Sequence, residues 1–174
     1  MNSSRKVAYI AVFTSLAVVG RLSMTIVPNI APVAPLSLLA GYLGGAYTGF
    51  LVGFLSMLIS DMYIGIGPWT FFTTLFMGLV GIFGAFIVRM ARDKMVVFTL
   101  SYLAVLIYDL GTSIFPMVFF GVPPLIAVLN LFFPVSFLGL PYPMGPVHEF
   151  SSSIIFLTLI RLIDRFGLRG VLHG

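Results

Sequence analysis

The 174-residue sequence has no cysteine, so disulfides and thiolate metal sites are excluded. Charge is scarce as well. Nine basic and five acidic residues make up 8% of the chain, against about 25% in an ordinary soluble domain. Two histidines leave little for a zinc enzyme, and HEF at 148–150 lacks the second histidine of HExxH. No GxxxxGK[ST] loop is present for ATP hydrolysis, and no GxSxG elbow for a nucleophilic serine. Ser60 beside Asp61 has no nearby base to complete a triad. These absences point away from an enzyme and call for no cofactor.

What remains is apolar: 60% of the residues are hydrophobic. A soluble core needs no such surplus, so the chain reads as an all-α integral membrane protein of one domain, 1–174. The basic start followed by an apolar run resembles a signal peptide. It lacks a small-residue cleavage site, and further apolar segments follow, so it reads as a retained first helix. Helices are expected near 6–26, 35–46, 47–64, 70–91, 95–116 and 147–166, with a long outer loop over 117–146. The second is too short to span alone and is expected to pack inside the bundle or lie tilted against the third.

Charge placement orients this compact six-helix bundle. Arg5 and Lys6, then Arg89, Arg92 and Lys94, then Arg161, Arg165 and Arg169 form three clusters; only Arg21 stands apart. Six crossings put all three clusters on one side, which the positive-inside rule makes cytoplasmic, together with both termini. All eleven prolines fall in the opposite connections, where backbone is irregular. The apolar stretch PPLIAVLNLFFPVSFLGLPYP admits a seventh crossing, but that would carry Arg161, Arg165 and Arg169 outside. A re-entrant or surface-lying segment fits the charges better and would suit a lid.

Gly41, Gly45, Gly49 and Gly53 are spaced for close helix packing, as are Gly78, Gly81, Gly84 and Ala85. Ala8, Ala11 and Ser15 give the first helix a small-residue face, which suits internal packing or a partner protein equally.

Ionisable groups at membrane depth are costly and usually functional. Arg21 lies about 24 Å above Arg5 at a rise of ~1.5 Å per residue, and Asp61 and Asp109 about 21 Å above the inner ends of their helices. His148 and Glu149 open the last helix. Arg21, Asp61, Trp69, Asp109, His148 and Glu149 therefore converge on the outer third of the bundle, with Tyr63, Thr70, Tyr108 and Asn130 as further candidates. The inner half is nearly free of charge, which describes a pocket rather than a pore. Each residue has a structural alternative. Arg21 can snorkel or pair with Asp61 or Asp109, Trp69 and Tyr63 can sit in an interfacial aromatic belt, and His148 and Glu149 can cap their helix. Asp109, in mid-helix, must be paired, protonated or bound to something.

The stretches RLSMTIVPNIAPVAPLSLLAGYLGGAYTGFLVGFLSMLISD, GIGPWTFFTTLFMGLVGIFGAF, YDLGTS and PVHEFSSSIIF together resemble the substrate-binding S components of energy-coupling factor (ECF) vitamin transporters. The likeness covers nearly the whole chain, and GPWT before a glycine-spaced helix is its most specific part. The branch it resembles is that associated with cobalamin or related corrinoids. The resemblance implies a multi-pass protein of the cell membrane with six helices and an outer pocket for a vitamin-like micronutrient. It also implies a transmembrane coupling protein and two cytoplasmic ABC-type ATPases as partners, met through Ala8, Ala11 and Ser15. The alternative is a solitary secondary transporter or channel for a small organic solute, with an intramembrane carboxylate such as Asp109 coupling to protons.

Overall fold

A computed structural model of the chain describes residues 3–27, 30–90, 93–133, 135–137, 140–142 and 144–167. Arg92, Arg169, Pro28, Pro134 and Pro143, which entered the charge and proline patterns, lie outside the described residues. The elements are α1 (Ser3–Ser23), α2 (Val33–Gly44), α3 (Ala46–Ile64), α4 (Pro68–Met90), α5 (Lys94–Phe119), α6 (Pro124–Phe132), the strands β1 (Val135–Phe137) and β2 (Leu140–Tyr142), and α7 (Met144–Arg165).

Helices α1, α3, α4, α5 and α7 are each long and apolar enough to cross a membrane. Their outward faces confirm the solvent. Phe71, Leu75, Leu79, Phe83 and Phe86 form an exposed ridge along α4, an arrangement that lipid tolerates and water does not. Helix α2 has twelve residues and is buried along most of its length, as a helix too short to span requires. Its Leu38 and Ala40 are fully buried, and the edge of Tyr42 meets the ring of Phe156 on α7 at 6.0 Å.

The glycine pattern explains how α2, α3 and α4 meet. Gly45 has φ 86° and breaks the chain between α2 and α3. Gly41 and Gly49, on either side of that break, then both face the Gly81 carbonyl of α4. A Cβ on Gly41 would stand 1.9 Å from that oxygen and one on Gly49 2.2 Å. Only glycine permits such an approach, and the close backbones replace the hydrophobic drive that lipid cannot supply. Buried hydroxyls close onto their own helices: Ser37 donates to the Val33 carbonyl at 2.7 Å, Thr48 to Gly44 at 2.9 Å and Ser153 to Glu149 at 2.8 Å. These residues therefore pack as small side chains without stranded polar atoms.

Several boundaries differ from those expected. Helix α1 stops at Ser23 rather than 26, and α5 continues through Pro116 to Phe119. Proline 116 interrupts one hydrogen bond but does not end a helix held by packing. The expected loop 117–146 contains α6 and a two-stranded antiparallel hairpin. Nine residues rise only about 13 Å, so α6 is no spanning helix. It starts at the Pro123–Pro124 pair and buries Ala127 and Leu131. Helix α7 begins at Met144, earlier than expected, which places Glu149 beyond the first turn. The helix-capping reading of Glu149 is thereby removed.

Candidate functional site

At the end of the bundle away from the basic clusters lies a cavity of about 470 Å3. The end of α1 and the segment after it, the end of α3, the second half of α5, α6 and the start of α7 enclose it. Met77 on α4 and Met57 on α3 lie against its side. Two charged pairs organise its walls.

The first pair joins three helices. Arg21 Nη1 donates to Asp61 Oδ1 at 2.6 Å, to the Ser60 hydroxyl and to the Met57 carbonyl at 3.4 Å. The Thr73 hydroxyl donates to the other Asp61 oxygen at 3.4 Å. Residues spaced at 57, 60 and 61 share one face of α3, so a single guanidinium reaches all three. The arrangement ties α1 to α3 and α3 to α4. Asp61 is 1% exposed and stands behind Arg21. Arg21 lines the cavity; Asp61 does not.

The second pair joins α5 to α7. Nδ1 of His148 lies 2.9 Å from both carboxylate oxygens of Asp109. Both residues are buried and both line the cavity. Tyr108 sets its ring edge-on to the imidazole, with centroids 5.7 Å apart. One turn beyond Tyr108, Thr112 donates to its carbonyl at 2.9 Å and adds a polar wall, and Asn130 adds another from α6.

Of the ten residues singled out from the sequence, Arg21, Tyr108, Asp109, Asn130 and His148 are brought together around this cavity. The others are placed elsewhere. Tyr63 and Trp69 are exposed, at 74% and 49%. The Trp69 ring covers Gly67, where a Cβ would stand 2.2 Å from it. Thr70 works as a helix cap. The Gly67 N–H donates to Thr70 Oγ1 at 3.2 Å, and the Thr70 N–H returns a bond to the Gly67 carbonyl at 2.9 Å. With Pro68 in the first helical position, GPWT is a helix-starting unit. Glu149 is fully buried but turned away from the cavity, toward Tyr102 of α5.

The sequence reading overlooked Met24, Thr25, Met57, Met77, Thr112, Ser113 and Met117, all of which line the cavity. Periodicity held a signal for some of them. Met57 lies one turn before Asp61, and Thr112 shares a face with Asp109.

A second, apolar groove of about 430 Å3 runs between α1 and α3 and is lined by Ala11, Thr14, Ser15, Leu51, Leu55 and Ile59, among others. Ala8, Ala11 and Ser15 are all exposed, and α1 is the least buried of the five long helices.

A family model described as ECF-type riboflavin transporter, S component, matches residues 1–163. No curated protein and no solved structure matches the chain.

Proposed function

The chain belongs to the family of ECF-type riboflavin transporter S components, and from that premise we propose that its cavity captures a compact, uncharged vitamin of flavin size. Membership makes it a vitamin-binding, substrate-specific subunit of a plasma-membrane transporter, and not an enzyme.

The observation that carries the ligand reading is that the ionisable groups of the cavity wall are already paired with one another or with a residue behind them. Arg21 is answered by Asp61, and His148 by Asp109. Each of these groups already has its partner within the protein, so none is free to recruit an ionic ligand, and separating a buried ion pair costs about 3–5 kcal/mol. The remaining lining is methionine, aliphatic side chains, one tyrosine, hydroxyls and the Asn130 amide. That mixture suits a flat, hydrogen-bonding, neutral ring system. Methionine adapts to the face of such a ring, and a few placed polar groups fix its orientation.

Size supports the same choice. A cavity of about 470 Å3 lies toward the small end of the ~300–1,000 Å3 range of small-molecule sites. A tricyclic vitamin with a short polyol chain fits such a volume. A whole corrinoid exceeds it, so the cobalamin-like ligand suggested by the sequence resemblance is the less suitable guest.

In the same reading α2 counts as the sixth, incomplete crossing. The basic helix ends and both termini then face the cytoplasm and the cavity opens outward. The exposed face of Ala8, Ala11 and Ser15 meets a transmembrane coupling protein that is driven by two cytoplasmic ABC-type ATPases. Lacking a phosphate-binding loop of its own, the chain depends on them for energy.

The test is binding by the purified chain alone. Riboflavin fluorescence should be quenched on titration into the protein, and flavin mononucleotide, which adds a phosphate, should bind at least tenfold more weakly. Cobalamin should not compete. If riboflavin gives no signal and native mass spectrometry finds no other neutral ring compound retained, the proposal fails.

A further inference from the structure

Three of the chain's five acidic residues are buried in the cavity half of the bundle, and two of them have side-chain partners, Asp61 in Arg21 and Asp109 in His148. Glu149 does not. It is 0% exposed, and neither carboxylate oxygen has a hydrogen-bond partner. One turn further along α7, the hydroxyl of Ser152 is also buried, at 1% exposure, and also unpartnered.

The surroundings offer no compensating cation. From α5, the neutral phenol of Tyr102 faces the carboxylate and brings no positive charge, and Asp109 adds negative potential. From α7 itself comes His148, whose Nδ1 is already committed to Asp109. Helix α2 contributes Tyr42 as its one titratable residue, and α6 contributes none. Among the described residues, every basic side chain other than Arg21 stands near the opposite ends of α1, α4, α5 and α7. An ionised Glu149 would therefore be an uncompensated charge at membrane depth, costing several kcal/mol or more.

We infer that Glu149 is a proton-binding site, standing in the folded bundle as a neutral carboxylic acid that faces Tyr102 of α5. A metal ion is the other way to neutralise a carboxylate, but it needs a shell of oxygens and room to sit. Neither of the two cavities includes Glu149 in its walls. A proton needs no volume. Release of that proton would place a second negative charge beside the Asp109–His148 pair that joins α5 to α7. The proton thus helps to keep this wall of the cavity closed, whatever the cavity binds.

The experiment uses the full chain in lipid nanodiscs with no vitamin added, so its outcome is independent of the ligand proposal. Infrared spectra at neutral pH should show the carbonyl stretch of a protonated carboxylic acid. Glu149→Gln should abolish that band and Asp109→Asn should leave it. Absence of the band in wild-type protein, or its survival in Glu149→Gln, overturns the inference. Thermal unfolding supplies a second readout. Glutamine copies the shape and neutrality of the protonated acid, so Glu149→Gln should fold and keep its midpoint as pH rises. The wild-type midpoint should fall over the same range, because the folded state loses a proton that stabilises it. Failure of Glu149→Gln to fold overturns the inference. So does a wild-type midpoint that rises with sodium at constant ionic strength and stops doing so in Glu149→Gln, since the occupant would then be a metal ion.

Discussion

Replacing the two members of the Arg21–Asp61 pair should give unequal losses. Arg21→Met leaves Asp61 buried, with Thr73 at 3.4 Å as its remaining side-chain partner. The Asp61 side chain is 2% exposed, so the stranded carboxylate bears nearly the full cost of a broken buried pair, about 3–5 kcal/mol. Asp61→Leu strands the guanidinium instead. The Arg21 side chain is 21% exposed and borders the cavity, where it can turn toward water. Its penalty should be discounted to about 2 kcal/mol. Removing both charges should cost less than Arg21→Met alone, because no isolated charge is left behind. Thermal unfolding in detergent, read by intrinsic fluorescence, measures all three. At roughly 2–4 °C per kcal/mol for a domain of this size, Arg21→Met should lower the midpoint by on the order of 10 °C, and Asp61→Leu by about half of that. If the single losses are equal, or if they simply add in the double variant, the pair does not work as a buried, coupled unit and the reasoning is wrong.

Other substitutions probe the remaining assignments. Gly81→Val places a Cβ where it would stand 2.0 Å from the Gly49 carbonyl oxygen; it should prevent recovery of monodisperse protein by size exclusion, and a wild-type midpoint would refute the close α3–α4 approach. Thr70→Val removes the acceptor for the Gly67 N–H and should cost about 1 kcal/mol of stability, while both it and Trp69→Ala should leave vitamin affinity within about twofold of wild type. A tenfold loss of affinity in either would return GPWT to the binding site. Ala11→Leu with Ser15→Leu should fill the groove between α1 and α3, keep vitamin binding and abolish co-purification with the coupling protein and ATPases; retained co-purification would place the partner elsewhere.

Height along the bundle was legible from the sequence, because helix rise converts position into height. Arg21, Asp61, Asp109, His148 and Glu149 all lie in the half of the bundle assigned to them. Direction around each helix axis was not legible in the same way. His148 and Glu149 are consecutive, and a helix turns ~100° per residue. One therefore lines the cavity and the other faces Tyr102. Trp69 and Thr70 showed the same ambiguity. Their rarity marked the stretch as special, yet the local geometry of Gly67 and Pro68 accounts for both residues. The methionines of the cavity escaped notice because one more apolar residue in an apolar chain gives no contrast.

The sequence alone determined the solvent and the class. Both rest on composition and on the length of apolar runs, and neither depends on how helices are rotated. It also determined that a few charges must be managed at depth. Only the tertiary structure decided how: Arg21 took Asp61, Asp109 took His148, and Glu149 was left with none. Those pairings link residues about forty positions apart. They exist because packing turns the Arg21 face of α1 toward α3 and the Asp109 face of α5 toward α7, a matter of rotation and spacing that no single helix carries in its own sequence.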